Sequence, residues 1–179
     1  MTLVAESGSL GFAPLTEEDL PALHRWLAQP HVVQWWGPPR SLEETLRDYN
    51  PASRCAGGPA YFLIELDGQA MGFIQRYAPV EHHHEGWWQQ IQDPGVRGVD
   101  VFLARPEWLG RGLGTRVLRS FSALLFRDPA VTAVIADPAP DNLCAVRCFI
   151  RAGFLGRRIV VTPDGPALLM ELTRSNWGD

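Results

Sequence analysis

Apolar residues recur along this chain with two periods, and each change of period marks an element. Leu20, Leu23, Trp26 and Leu27 keep the three-to-four spacing of one helix face. Thr16-Glu17-Glu18-Asp19 just before them is a start signal: the threonine can cap and the acids suit the positive first turn. Pro30 is predicted to stop this helix. Ser41-Leu42-Glu43-Glu44 is a second capping box and predicts a short helix ending before Pro51. Tyr61–Leu66 and Ala70–Tyr77 then read as strands joined at Asp67-Gly68, a hairpin turn. Pro79 to Gly98, with its HHH, WW and DPG, reads as an irregular insert, and loops of this length in compact domains commonly carry function.

The second half is more regular. Val99–Leu103 reads as a strand, and Gly112–Phe126 as a helix with Leu113, Val117, Leu118, Phe121, Leu124 and Leu125 on one side. Val131–Ala136 reads as a buried strand, followed by a helix capped by Asp141 and ended by Gly153. Phe154–Val161 and Ala167–Leu172 flank Thr162-Pro163-Asp164-Gly165, a hairpin loop. The alternation predicts an α/β architecture, or α+β with a mixed sheet. No repeat or linker-like tract interrupts it, so residues 1–179 are expected to form a single domain with its core at about 10–173.

Composition narrows the class. The 179 residues are 46% hydrophobic and 20% charged, which excludes a disordered or collagenous chain and a coiled coil. No apolar run is long enough to span a membrane, and the N-terminus lacks the pattern of a signal peptide, so a soluble, cytoplasmic protein is expected. Sixteen basic against 20 acidic residues give a net charge of −4, without a basic stripe for nucleic acid and with a slight preference for a cationic partner. Three cysteines, Cys55, Cys144 and Cys148, have no C-x-x-C spacing, so neither a disulfide framework nor a zinc cluster is expected. Cys144 and Cys148 read as core thiols on one helix face. His82-His83-His84 reads as an exposed loop rather than a metal site, since adjacent residues rarely close a coordination shell.

The most informative motif is Gly110-Arg111-Gly112-Leu113-Gly114-Thr115, placed between a strand and an amphipathic helix. Glycines let a backbone curl closely around an anion, and the first N–H groups of the helix point at it. No Gly-Lys-Ser/Thr ends the turn, so it is not a P-loop, and it lacks the dinucleotide fingerprint. With the strand before it, the helix and strand after it, and Asp141-Asn142-Leu143-Cys144-Ala145 leading to Arg151-Ala152-Gly153-Phe154, it resembles the GNAT family of N-acetyltransferases. The resemblance implies the GNAT fold with acetyl-coenzyme A as cosubstrate and no metal. It implies that Gly110–Thr115 hold the pyrophosphate, that the backbone of Val101, Phe102 and Leu103 binds the pantetheine arm, and that Asn142 contacts that arm. Leu109 departs from the Gln or Arg that the family often carries there. Phe149 stands where relatives often have a tyrosine that protonates the leaving thiolate.

A narrower resemblance spans about residues 15 to 173. His31-Val32-Val33-Gln34-Trp35-Trp36-Gly37, Gly86-Trp87-Trp88, Asp93-Pro94-Gly95-Val96-Arg97-Gly98-Val99-Asp100, Ala136-Asp137-Pro138 and Thr162-Pro163-Asp164-Gly165-Pro166-Ala167 are similar to the aminoglycoside 6′-N-acetyltransferases. It implies acetyl transfer to the 6′-amine of kanamycin- and tobramycin-type antibiotics, by a monomer or homodimer. The residue types suit such a substrate: a polycation needs carboxylates, here Glu85, Asp93, Asp100, Asp137 and Asp164, and sugar rings need aromatic faces, here Trp35, Trp36, Trp87 and Trp88. One tryptophan of each pair is expected in the core. Asp100, at the start of the strand facing the cofactor, is the candidate proton acceptor, although an aspartate of ordinary pKa ~3.9 is a weak base for an amine. Alternatives are a GNAT enzyme acting on a siderophore-type hydroxylysine or a peptide amine, and a module that binds coenzyme A or aminoglycoside with catalysis impaired.

Overall fold

A computed structural model describes residues 8–51 and 58–177; Cys55 lies outside them. Seven strands among the described residues join one mixed sheet in the order β1-β2-β3-β4-β5-β7-β6. β2 (Ala60–Leu66) and β3 (Gln69–Tyr77) form the expected hairpin, and both Asp67 and Gly68 take positive φ, as its tight turn requires. β4 (Val96–Leu103) runs antiparallel to β3, and β5 (Ala133–Ala136) runs parallel to β4. β6 (Leu155–Thr162) and β7 (Gly165–Thr173) form the last hairpin, with β7 against β5.

Helices cover both faces. α4 (Leu113–Leu125) lies on one face, where Val117, Leu118 and Phe121 pack on Ile64, Ile74, Val99 and Met170. α1 (Leu20–Leu27) and α2 (Pro30–Trp36) cover the other, with Leu20, Leu23 and Val32 against Leu63, Phe73 and Phe102. α3 (Leu42–Tyr49) opens with the expected capping box: Ser41 Oγ accepts from Glu44 N, and Glu44 accepts from Ser41 N. α5 (Leu143–Ala152) ends at Gly153, with φ of 103°, and a short α6 (Arg174–Trp177) follows β7.

The departures from the sequence reading have local causes. A first strand, β1 (Leu10–Pro14), pairs with β2 although LGFAP carries no alternation; partial exposure along its length leaves no pattern to read. A 3-10 turn over Glu17–Asp19 precedes α1. Pro30 ends the run of α1 but is also the first residue of α2, because a proline fits the first helical position, where its missing N–H costs nothing. β4 starts at Val96, not Val99: Gly98 belongs to the strand, and the pairing partner across from it explains why it is glycine. Within the insert, Pro79–Glu85 form a 3-10 helix, so only His84 of the three histidines is exposed, and His83 Nε2 donates to Ile91 O at 2.9 Å. The cap of α5 is Asn142 rather than Asp141: Asn142 Oδ1 accepts from Ala145 N. Cys144 is exposed and not in the core, while Cys148 is half-buried.

Candidate active site

Strands β4 and β5 part in the middle of the sheet. They pair only from Val96 to Gly98, whereas β4 stays paired with β3 up to Leu103. Beyond Gly98 the β5-side edge of β4 has no strand beside it, and its backbone donors and acceptors line a groove. Val101, Phe102 and Leu103 lie along this edge, as the resemblance implied for a pantetheine arm. Leu103 already gives its carbonyl to His31 Nε2 at 2.9 Å, so His31 carries its proton on Nε2 and ties α2 to the end of the strand.

The glycine turn closes one end of the groove. Gly110 and Gly112 take φ of 73° and 81°, which a side chain would strain, and a Cβ built on either meets nothing within 4 Å. The concavity is therefore open and made of backbone. Gly112 is the N-cap of α4, and the first helical bond is from Arg116 N to Gly112 O, so the amides of Leu113, Gly114 and Thr115 face the turn. No acid occupies the first turn of α4 to compete for them. This fits a pyrophosphate. Gly114 is glycine for another reason: a Cβ there would stand 2.9 Å from Cys148 Sγ, so the residue lets α5 approach α4. Asn142 spends its side-chain oxygen on capping α5, which leaves its NH₂ for a ligand.

The opposite end is built from side chains. Continuing the β4–β5 register beyond Gly98 and Ile135 sets Asp100 level with Asp137, where the strands have separated. Burial pushes Asp100 up to about 6, against a hydrogen bond of 2.6 Å from Gln75 Nε2 that works to lower it. Burial first, then the charges of Asp100 and Asp164, pushes Asp137 up to about 8. Two carboxylates withdrawn from water beside each other cannot both ionise cheaply. Near neutral pH they therefore hold one proton and one negative charge between them, a receptor for a single ammonium.

Tyr77 supports the pair from below. Its ring lies over Gly98, where an added Cβ would come within 2.2 Å of two ring atoms; that close approach is what Gly98 is for. Burial, then Asp100 and Asp137, raises the Tyr77 phenol well above its ordinary pKa, while a hydrogen bond with Trp88 opposes the shift. Trp88 is only 4% exposed and shares a buried cluster with Tyr77, Val96 and Ile135. Gln75 and Gly98 were missed from sequence, although a lone glutamine inside Met71-Gly72-Phe73-Ile74 and the following strand end is a visible break in an apolar run.

The remaining candidates divide. Trp35 is 39% exposed, while Trp36 is half-buried and packs edge-on against the core residues Phe73 and Phe102. Trp87 is half-buried beside Trp88. Asp164 is exposed on the last hairpin loop, and a Cβ built on Gly86 would meet Pro163 of that loop at 3.7 Å, so insert and hairpin lie close together. Glu85 is exposed and pairs with His82 and His84. Asp93 is a correction. It sits in the turn before β4, closed by Val96 N donating to Asp93 O, at the end of the strand away from Asp100. Its carboxylate accepts from Gly95 N at 2.7 Å and Thr132 Oγ1 at 2.7 Å, which ties the start of β4 to β5. These bonds lower its pKa and give it a structural task at the wrong end of the strand. Phe149 is 6% exposed and packs edge-on against Phe154, offering no proton donor. Among the described residues no cluster of His, Cys, Asp or Glu could hold a metal ion.

Comparison with known proteins agrees with this geometry. Residues 16–162 match the model of the acetyltransferase (GNAT) domain. The chain is 41% identical over 163 residues to the aminoglycoside N(6′)-acetyltransferase type 1 of Klebsiella pneumoniae, covering 89% of this chain and 81% of that one. It is 52% identical over 88 residues to a kanamycin resistance protein of Rhizobium radiobacter, covering 49% of this chain and 82% of that one. It superposes on the crystal structure of aminoglycoside acetyltransferase AAC(6′)-Ib in complex with coenzyme A and kanamycin with a TM-score of 0.90 and 39% identity, over 95% of this chain and 98% of that one. The chain belongs to the GNAT family of acetyltransferases and, within it, to the aminoglycoside 6′-N-acetyltransferases.

Proposed function

We propose that this protein transfers the acetyl group of acetyl-coenzyme A to the 6′-amine of kanamycin- and tobramycin-type aminoglycosides and so confers resistance to them. The observation that carries the proposal is the Asp100–Asp137 pair at the point where β4 leaves β5. Acetyl-coenzyme A supplies an activated thioester. Gly110, Gly112 and the amides of Leu113, Gly114 and Thr115 hold its pyrophosphate, and the free edge of β4 with the Asn142 NH₂ aligns the arm, so that the acyl end faces Asp100.

The ammonium is drawn to the single negative charge of the pair. Asp100, held by Gln75, orients the amine and accepts its proton. Its raised pKa makes it a better match for that proton than a carboxylate at its ordinary value, because general-base catalysis is most effective when the base titrates near the working pH. A backbone N–H on the free edge of β4 is placed to polarise the thioester carbonyl. Phe149 donates nothing, and the departing thiolate takes its proton from solvent, which a thiol of pKa ~8.5 permits. Asp137 keeps the shared proton beside Asp100, Asp164 and Glu85 at the rim meet the other ammonium groups, and Trp35 and Trp87 offer faces to the sugar rings. Every group invoked comes from one chain, so the reaction needs no second copy. The need for acetyl-coenzyme A supports a cytoplasmic location.

Mass spectrometry with positional assignment tests this reading on a panel of aminoglycosides, lysine derivatives and peptides. Kanamycin and tobramycin should gain one acetyl group at the 6′ position, and an aminoglycoside with a 6′-hydroxyl should bind without N-acetylation. Acetylation at a different amine only, or of the lysine derivatives in preference, would overturn it.

A further inference from the structure

The end of β4 beside the groove has a strand partner on one side only. Ala104 N donates to Met71 O at 2.9 Å, which fixes the side to which each backbone group of the strand turns. Those groups alternate from residue to residue, so Phe102 also gives its N–H and C=O to β3, where it pairs with Phe73. The close approach of Gly72 agrees, since a Cβ built there would stand 2.5 Å from Phe102 O. Val101 and Leu103 therefore turn their backbone groups to the edge that β5 has left. Phe102 spends its backbone on β3 and its ring on the cluster with Leu63 and Phe73, so the groove is faced by Val101 and Leu103.

One of the two groove-facing groups of Leu103 is already engaged. Its carbonyl accepts from His31 Nε2 at 2.9 Å, across 72 positions of sequence. His31 reaches it because α2 is anchored beside it. Pro30 fixes the entry of the helix, and Gln29 O accepts from Val32 N and Val33 N at 2.9 Å each. Val32, 1% exposed, packs in one cluster with Phe73 and Phe102. The bond serves nothing within α2, whose cap is Gln29. What it supplies is the lateral partner that β5 would have given. A strand end bonded on one edge can turn about its length, and a carbonyl left bare in the groove needs a donor from elsewhere. With His31 in place the end of β4 is bonded on both edges, and Leu103 offers the groove its N–H alone.

We propose that His31 is a positioning residue for the cosubstrate: by holding the Leu103 carbonyl it fixes the end of β4 so that the Leu103 N–H meets a carbonyl oxygen of the pantetheine arm. That arm is built from amides, and a strand edge recognises an amide by the same bonds that would have joined it to a further strand. What His31 must supply is an N–H and not a positive charge, because its partner is a neutral carbonyl. It touches no reacting atom and acts through Leu103. Its role rests on coenzyme A as cosubstrate and is the same whichever amine is acetylated.

Coenzyme A titrated into the whole protein by calorimetry, with no amine present, tests this. His31→Leu keeps the bulk and removes the donor, so coenzyme A should bind ~10-fold more weakly. His31→Gln places an amide N–H where Nε2 stands and should bind within ~3-fold of the parent. A residue that merely packs α2 against the sheet would not be rescued by glutamine over leucine. The backbone amide resonance of Leu103, read by NMR at saturation, should move on coenzyme A binding in the parent and in His31→Gln, and move less in His31→Leu. Should His31→Leu fail to fold, as its melting curve would show, the glutamine variant and the parent resonance decide alone. Parental affinity in His31→Leu, a ~10-fold loss in His31→Gln, or a Leu103 resonance that coenzyme A leaves unmoved in the parent would each overturn the proposal.

Discussion

The two ends of the groove hold their ligands by different means. At the glycine turn the binding groups are backbone amides, aimed by φ values of 73° and 81° and by the start of α4. At the β4–β5 opening they are carboxylates, and what sets their chemistry is the loss of water around them, which lifts Asp100 to about 6 and Asp137 to about 8. A backbone site has a fixed polarity and no proton to lose between pH 5 and 9. A site of paired buried acids changes its charge across that same range. On the proposed reading the enzyme should keep its grip on the cosubstrate constant while its affinity for the amine and its power to deprotonate it follow pH.

The sharpest way to break this division is to damage one end and measure both. Asp100→Asn keeps the size and the contact with Gln75 but removes the proton acceptor, so kcat/KM for kanamycin should fall by ~10²-fold or more. Coenzyme A affinity, measured by calorimetry, should not change. In the parent enzyme kcat/KM should fall as the pH drops below about 6, because a protonated Asp100 can neither attract the ammonium nor take its proton. That acid limb should vanish in the variant. Gly112→Asp is the converse. It forces a side chain onto a φ of 81° and sets a negative charge against the phosphates, so coenzyme A should bind at least ~10-fold more weakly. Binary binding of kanamycin should survive. If each variant damaged both affinities equally, the two ends would be one cooperative site.

A third substitution probes the floor of the acidic end. Gly98→Ala drives a Cβ to within 2.2 Å of the Tyr77 ring, and overpacking of this kind costs ~1–3 kcal/mol. The melting temperature should fall and the kanamycin KM should rise. Tyr77→Leu in the same chain should recover part of the stability, as coupled neighbours do.

The same division explains what could be read from the chain alone. GRGLGT could be read because it stands between a strand and an amphipathic helix with Asp141–Ala145 and Arg151–Phe154 after it, a pattern that resembles the GNAT family, and the acids stood out as residue types beside specific motifs. Asp93 looked as eligible as Asp100, since nothing local tells a loop carboxylate tied to Gly95 and Thr132 from one in the cleft seven residues later. The separation of β4 from β5 decides it, and that is a property of the sheet. The raised pKa values were equally invisible, because they come from burial and, for Asp137, from the charges of Asp100 and Asp164, which strands distant in sequence bring beside it. His82 and Cys144 were misjudged in opposite directions for a like reason: a 3-10 turn folds His82 edge-on to Tyr77, while α5 turns Cys144 outward.

The last expected effect, on stability against pH, is the most direct test that the acidic end is held at a cost. A carboxylate whose folded pKa is raised binds more protons folded than unfolded at every pH between the two values. For Asp137 that window runs from its ordinary 3.8 to about 8, so its contribution to stability falls as pH rises through the window and levels off above it. Asp137→Asn removes the titration while keeping the shape. The variant should melt at about the parent's temperature at pH 4 and above it at pH 8, with the gap opening steadily between. Kanamycin should stabilise the two proteins unequally: its ammonium groups relieve the buried charge in the parent, so the ligand-induced rise in melting temperature should be greater there than in Asp137→Asn. A gap that stayed constant from pH 4 to pH 8 would mean that Asp137 is ionised at no cost, and the pair would no longer account for either the binding of the amine or its deprotonation.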